Sequence, residues 1–105
     1  MTQIASNPTV VWSSDIDMAT VDQLRSTLRP LVEAGGPIPV DLSTVGFMDS
    51  SGIHAIADAA KELGDRGCII LHGVNAGIAK VLEITQLTSL RPNVHVIGCG
   101  VLTAA

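Results

Sequence analysis

Aromatic side chains are almost missing from this chain: Trp12 and Phe47 are the only two, and there is no tyrosine. Any core must therefore be aliphatic, and the aromatic platforms on which single-stranded nucleic acids stack are excluded. Basic residues are few as well. Arg25, Arg29, Lys61, Arg66, Lys80 and Arg91 are scattered, and the net charge is −4. Direct nucleic-acid binding needs a clustered basic surface for phosphates, so none is expected. The two cysteines, Cys68 and Cys99, lie in different segments and form no CxxC pair. Two buried thiols in a reducing compartment are expected, in preference to a disulfide or a metal site. No window approaches the ~20 apolar residues of a membrane span. The start, MTQIASNPTV, has neither the basic residues nor the apolar run of a secretory signal. A soluble, cytoplasmic protein without membrane insertion is the expectation.

What is present is apolar and alternating. With 105 residues, 47% hydrophobic and 15% charged, the chain suits one domain over 1–105 with one core. TVVW at 9–12 is a β-branched run, and SNP at 6–8 is a turn signal that lets TQIA at 2–5 pair back as a weak edge strand. Val21, Leu24, Leu28 and Leu31 recur at helical spacing over 20–34, with Thr20 and Gln23 spaced as a capping box. Pro30 is expected to kink this helix or end its regular part early, and Gly35-Gly36-Pro37 stops it. IPVDL at 38–42 is a second strand. Ile53, Ile56, Ala57, Ala60 and Leu63 then mark one helical face, bracketed at its end by Gly64 and Gly67. CIILH at 68–72 reads as a strand covered on both faces. Asn75 caps a short helix with Ile78, Val81 and Leu82 inward, and VHVIG at 94–98 is the last strand. Strands alternating with helices predict an α/β fold with parallel pairs, in which sites gather where a strand's carboxyl end meets the next helix.

FMDSSGIHAI, 47–56, lies at such a junction. Asp49 or Ser50 there can simply cap a helix over 51–64. Equally, one of the hydroxyls can be presented for chemistry. Ser51 reads as a cap or contact, and Gly52 as a close approach, either of a partner or of neighbouring backbone. Asp49 can orient the Ser50 hydroxyl or act only as a first-turn acid. Catalysis is poorly supported. FMDSSG is not the G-x-S-x-G of a hydrolase elbow, and Asp49, Ser50 and His54 lie too close on one turn for a triad. No P-loop is present, and His54, His72 and His95 lie in three segments without metal-ligand spacing. His72 and His95 suit strand ends or edges, and Asp15, Asp17 and Asp41 suit turns and caps. No enzyme activity and no cofactor are expected.

The stretches VDLSTVGFMDSSGIHAI (40–56), AAKELGDRGCIILHG (59–73) and NAGIAKVLEITQL (75–87) resemble the STAS domain, in its branch of bacterial anti-sigma-factor antagonists. SSDIDMATVDQLRSTL (13–28) is similar to the family's earlier segment and its following helix. The resemblance runs from about 9 to 98 and implies a mixed central β-sheet flanked by helices, with a protein-binding role. It implies that Ser50, the first serine of D-S-S-G, is phosphorylated by an anti-sigma factor that is a serine kinase. The unphosphorylated form holds that factor and frees a sigma factor, and the phosphorylated form lets go. Asp49, Ser50, Ser51, Gly52 and His54 are then the partner-binding residues. A transporter-associated subunit docked to the ATPase of a lipid-type ABC transporter, or a stressosome-like or ligand-sensing scaffold, are the other roles the resemblance allows. Two departures stand out. Ser14 replaces a usual Gly, and His54 replaces a small residue one turn past Ser50, where it either crowds a partner or, protonated, pairs with a phosphate. CGVLTAA at 99–105 stands where the family's last helix is expected, so a sheet face left open to a second copy, a homodimer, is also expected.

Overall fold

A computed structural model of the chain describes residues 9–98. Strand β1 (Val10–Val11) is followed by helix α1 (Val21–Ala34), β2 (Gly36–Asp41), α2 (Ser50–Leu63), a 3₁₀ turn (Gly64–Arg66) and β3 (Gly67–Val74). Helices α3 (Ala76–Thr85) and α4 (Leu87–Leu90) precede β4 (Val94–Gly98). The four strands form one sheet in the order β1-β2-β3-β4, every pair parallel. The α/β fold with flanking helices is as expected. The edge strand over 2–5 that would make the sheet mixed lies outside the described residues, as do Cys99 and the 99–105 segment.

Period-two burial orients the sheet. Ile38 and Val40 of β2, Ile69 and Leu71 of β3 and Val94 of β4 are buried. Against them lie Val21, Leu24, Leu28 and Val32 of α1 and Ile53, Ile56, Ala60 and Leu63 of α2, at the helical spacing the sequence shows. Each large aliphatic side chain buried this way contributes about 1.5–3 kcal/mol. A core without tyrosine and with one peripheral tryptophan is therefore sufficient. Along the other side chains of β3, burial is weaker: Cys68, Ile70 and His72 are only half-buried. The expectation of a strand covered on both faces, and of a buried Cys68, is corrected here. Helices α1 and α2 pack on each other and on the same side of the sheet, so the alternate positions of β3 lack an equal cover.

Two local expectations also change. Helix α1 runs through Pro30 to Ala34. Pro30 and Ser26, whose carbonyl loses its amide partner, are both exposed, so water can take the bond that proline removes. The Thr20–Gln23 capping box does not form: Thr20 Oγ1 donates to the Asp15 carbonyl at 2.8 Å and accepts from the Asp17 amide at 3.0 Å. Thr20 already has near-helical backbone angles, φ −114° and ψ −9°, which turns its hydroxyl back toward the 15–17 turn. Asp17 and Asp41 serve turns, accepting from the amides of Ala19 and Ser43 at 2.9 Å each. Asn75 caps α3 through the Ile78 amide at 2.8 Å, as read from the sequence.

Candidate functional site

The segment between β2 and α2 is positioned by a strand-like contact with the segment after β1. Ile16 and Met48 form an isolated parallel bridge. The Ile16 amide donates to the Phe47 carbonyl at 2.9 Å, and the Asp49 amide donates to the Ile16 carbonyl at 3.0 Å. Ile16 and Met48 are buried at 0% and 1% exposure, whereas Phe47 is 52% exposed. Alternation thus drives Met48 into the core and turns Phe47 outward. Met18, two residues past the bridge, is 81% exposed.

Asp49 is the N-cap of α2, with extended backbone angles. Its Oδ1 accepts from the Ser51 amide at 2.9 Å and from the Ser51 hydroxyl at 2.5 Å. The Ser51 hydroxyl, ahead of the Ser51 and Gly52 amides, holds the Asp49 carboxyl below its ordinary value of 3.8, while burial opposes the shift. The carboxylate therefore grips Ser51 and not Ser50, which corrects the reading in which Asp49 orients the Ser50 hydroxyl. Ser51 is half-buried and acts as a donor to the cap. Ser50, at the first helical position, is exposed.

Gly52 faces inward. It is buried, and a Cβ placed there would stand 2.6 Å from Met48 Cγ and 2.7 Å from Ile16 Cγ2. Of the two close approaches left open for Gly52, a partner's or this chain's own, the structure shows the second, made to the Met48 and Ile16 side chains. His54 is exposed four residues beyond Ser50, on the same face of α2. The structure brings Asp49, Ser50, Ser51 and His54 together at one helix start and assembles no relay among them, since the carboxylate is committed to Ser51. His72 and His95 lie on β3 and β4, apart from this start. No group of three metal-ligating residues occurs among the described residues.

The sequence did not single out Met18 and Phe47 as surface features. The one available sign was Phe47 itself, the sole phenylalanine of the chain, placed beside the D-S-S-G turn. A separate recess of about 240 Å³ opens between α1 and α2, floored by Ala55 and Ala59 and spanned by an Arg25–Asp58 ion pair at 2.9 Å. It is lined by neither Asp49 nor Ser50. Among the described residues no helix is long and apolar enough to cross a membrane.

With this geometry, the sequence matches the STAS domain over residues 1–96. The chain belongs to the STAS domain family. Two relatives of this STAS domain, each named anti-sigma-B factor antagonist, come from Listeria monocytogenes and Listeria innocua. Each is 29% identical over 80 residues, covering 74% of this chain and 70% of its own. A crystal structure of a Thermotoga maritima protein described as a candidate anti-sigma factor antagonist shares the fold at a TM-score of 0.68. It is 17% identical and covers 88% of this chain and 80% of its own. That likeness bears on fold alone.

Proposed function

We propose that this STAS domain is a bacterial anti-sigma factor antagonist, a protein-binding regulator of sigma-factor-dependent transcription that is switched at Ser50. The observation that carries the reading is an exposed serine at the first position of α2, with Met18 and Phe47 exposed on the paired segments that lead into it, on a chain whose relatives are named antagonists. Aromatic and methionine side chains are favoured at the centres of protein interfaces. In the unphosphorylated state a neutral hydroxyl among such neighbours is dehydrated cheaply when a partner docks. An anti-sigma factor with serine kinase activity would transfer the γ-phosphoryl group of ATP to Ser50 Oγ. ADP leaves, and the hydroxyl proton passes to a base on the kinase. The product carries roughly −1.5 to −2 charges near neutral pH, and burying that charge without a cationic match is costly. Release follows without any change of fold.

The test is phosphate mapping by mass spectrometry after incubation with ATP and the cognate anti-sigma factor. Phosphate on Ser50, absent in Ser50→Ala, is expected. Capture of a transporter ATPase with no modification would instead favour the transporter-associated role. Ser50→Asp is expected to retain the wild-type melting curve while losing at least about tenfold in partner affinity. A variant that unfolds would overturn the switch.

A further inference from the structure

The start of an α-helix ordinarily leaves amides free to receive a phosphate. In α2 those of Ser51 and Gly52 are already taken. The Ser51 amide ends on Asp49 Oδ1 at 2.9 Å, and the Gly52 and Ile53 amides end on the Asp49 carbonyl at 3.1 and 3.3 Å. The Ser51 hydroxyl is donated to the same Oδ1. Asp49 thus holds the orphan amides of Ser51 and Gly52, besides the regular helical bond of Ile53, and one of the two adjacent hydroxyls. Ser50 alone of the pair is exposed with its hydroxyl in no hydrogen bond among the described residues.

We propose that Asp49 acts as a built-in anion that occupies the Ser51 donors at the start of α2, so that a phosphate on Ser50 is displayed to the partner and Ser51 is withheld from modification. The proposal rests on Ser50 being the modified residue, and it makes Asp49 a positioning residue for that site. Two physical consequences separate it from simple capping. A phosphate on Ser50 finds the Ser51 and Gly52 amides engaged and has a carboxylate of like sign beside it, so its charge points outward. Modification of Ser51 would first have to break the hydroxyl's bond to Oδ1. The neighbouring ionisable groups are His54 one turn along α2 and, on the segment paired through Ile16 and Met48, Asp15 and Asp17.

The test installs phosphoserine at position 50 during translation, which needs no kinase. Phosphorus NMR then follows the ester between about pH 4 and 8 in wild type, Asp49→Asn and Asp49→Ala, together with the Ser51 amide proton. In wild type the ester should titrate near the ordinary second value of about 6, and the Ser51 amide should not follow it. Asp49→Asn removes the charge but keeps an acceptor, so the ester value falls somewhat. Asp49→Ala also frees the Ser51 amide, and the value should fall by at least about 0.5 unit further, with that amide now tracking the phosphate. A Ser51 amide that tracks the ester in the wild type, or equal ester values in the two variants, overturns the proposal. The wild-type trace alone decides the matter if Asp49→Ala does not fold. With kinase and ATP, Asp49→Ala should also gain phosphate on Ser51. If the kinase modifies no serine in the wild type, the proposed function fails while the phosphorus titration still judges Asp49.

Discussion

Where the strands begin, the ends of the helices are tied down. The Arg66 guanidinium donates to the Val32 and Glu33 carbonyls of α1 at 3.1 and 3.4 Å, and to the Glu62 carbonyl of α2 at 3.0 Å. A cation at two helix C-termini meets both the orphan carbonyls and the negative end of each dipole. Asn93 adds Nδ2 contacts to the carbonyls of Ala60, Gly64 and Gly67 at 2.9–3.3 Å. Where the strands end, Asp49 holds the start of α2 locally, and Asn75 Nδ2 reaches the Val45 carbonyl at 3.0 Å. A hydroxyl and two large apolar side chains are left facing outward. One end is tied by a cation and an amide that each reach several carbonyls of the helix ends. The other is held by single bonds and leaves exposed side chains. If the proposed function holds, stability and recognition are separable in this molecule, with the site at the strand carboxyl ends as in other open α/β sheets.

The largest expected effect belongs to the tied end. A Cβ on Gly67 would lie 2.2 Å from the Gly36 carbonyl oxygen across the β2–β3 pairing, and backbone cannot swing aside as a side chain can. Gly67→Val should cost about 3 kcal/mol in urea unfolding, and a wild-type midpoint would break the comparison. At the open end, Met18→Ser should reverse the pattern. Its side chain is 81% exposed, so unfolding should shift by less than about 0.5 kcal/mol, while partner affinity falls about tenfold, as for a contact residue of a docking surface. Equal affinity in a calorimetric titration would remove Met18 from that surface. A third, smaller effect returns to the tied end: Arg66→Ala should lower stability by about 1 kcal/mol, because its bonds are partly in water. It should leave partner affinity unchanged.

This division also marks what could be read from sequence. The features that could be read are local. The helical faces, the strand runs, Asn75 with Ile78 and the D-S-S-G turn all involve neighbours a few residues apart, and they emerge from periodicity and cap chemistry. The Asp49–Ser51 grip is local too, at a spacing of two, but Asp49 and Ser50 are equally good caps on paper and only backbone angles decide between them. Arg66 and Asn93 act across separations of 34 and 33 residues, and no spacing rule exposes such a contact before the layers are assembled. The same holds for Gly52 and for β3. Whether a glycine approaches a partner or its own core, and whether a strand is covered once or twice, depends on which side the helices take.

Acid should separate the two ends with the smallest energies involved. The Asp49 carboxyl is held below its ordinary value by the Ser51 hydroxyl, and the Asp41 carboxyl by the Ser43 hydroxyl and amide. A carboxylate whose folded value is depressed supports the fold above its unfolded value, near 3.8, and that support is lost as pH falls through the folded value. Both groups belong to the segment that leads from β2 into α2. The Arg66 and Asn93 contacts end on backbone carbonyls and involve no carboxylate. Amide exchange followed by NMR while pH is lowered below 3.8 should therefore show Ser43 and Ser51 losing protection before the amides around the Arg66 contacts. Asp49→Asn should abolish the acid dependence at Ser51 and leave that at Ser43. Simultaneous loss at both ends would mean that the molecule opens as one cooperative unit, and the local role given to Asp49 would fall with it.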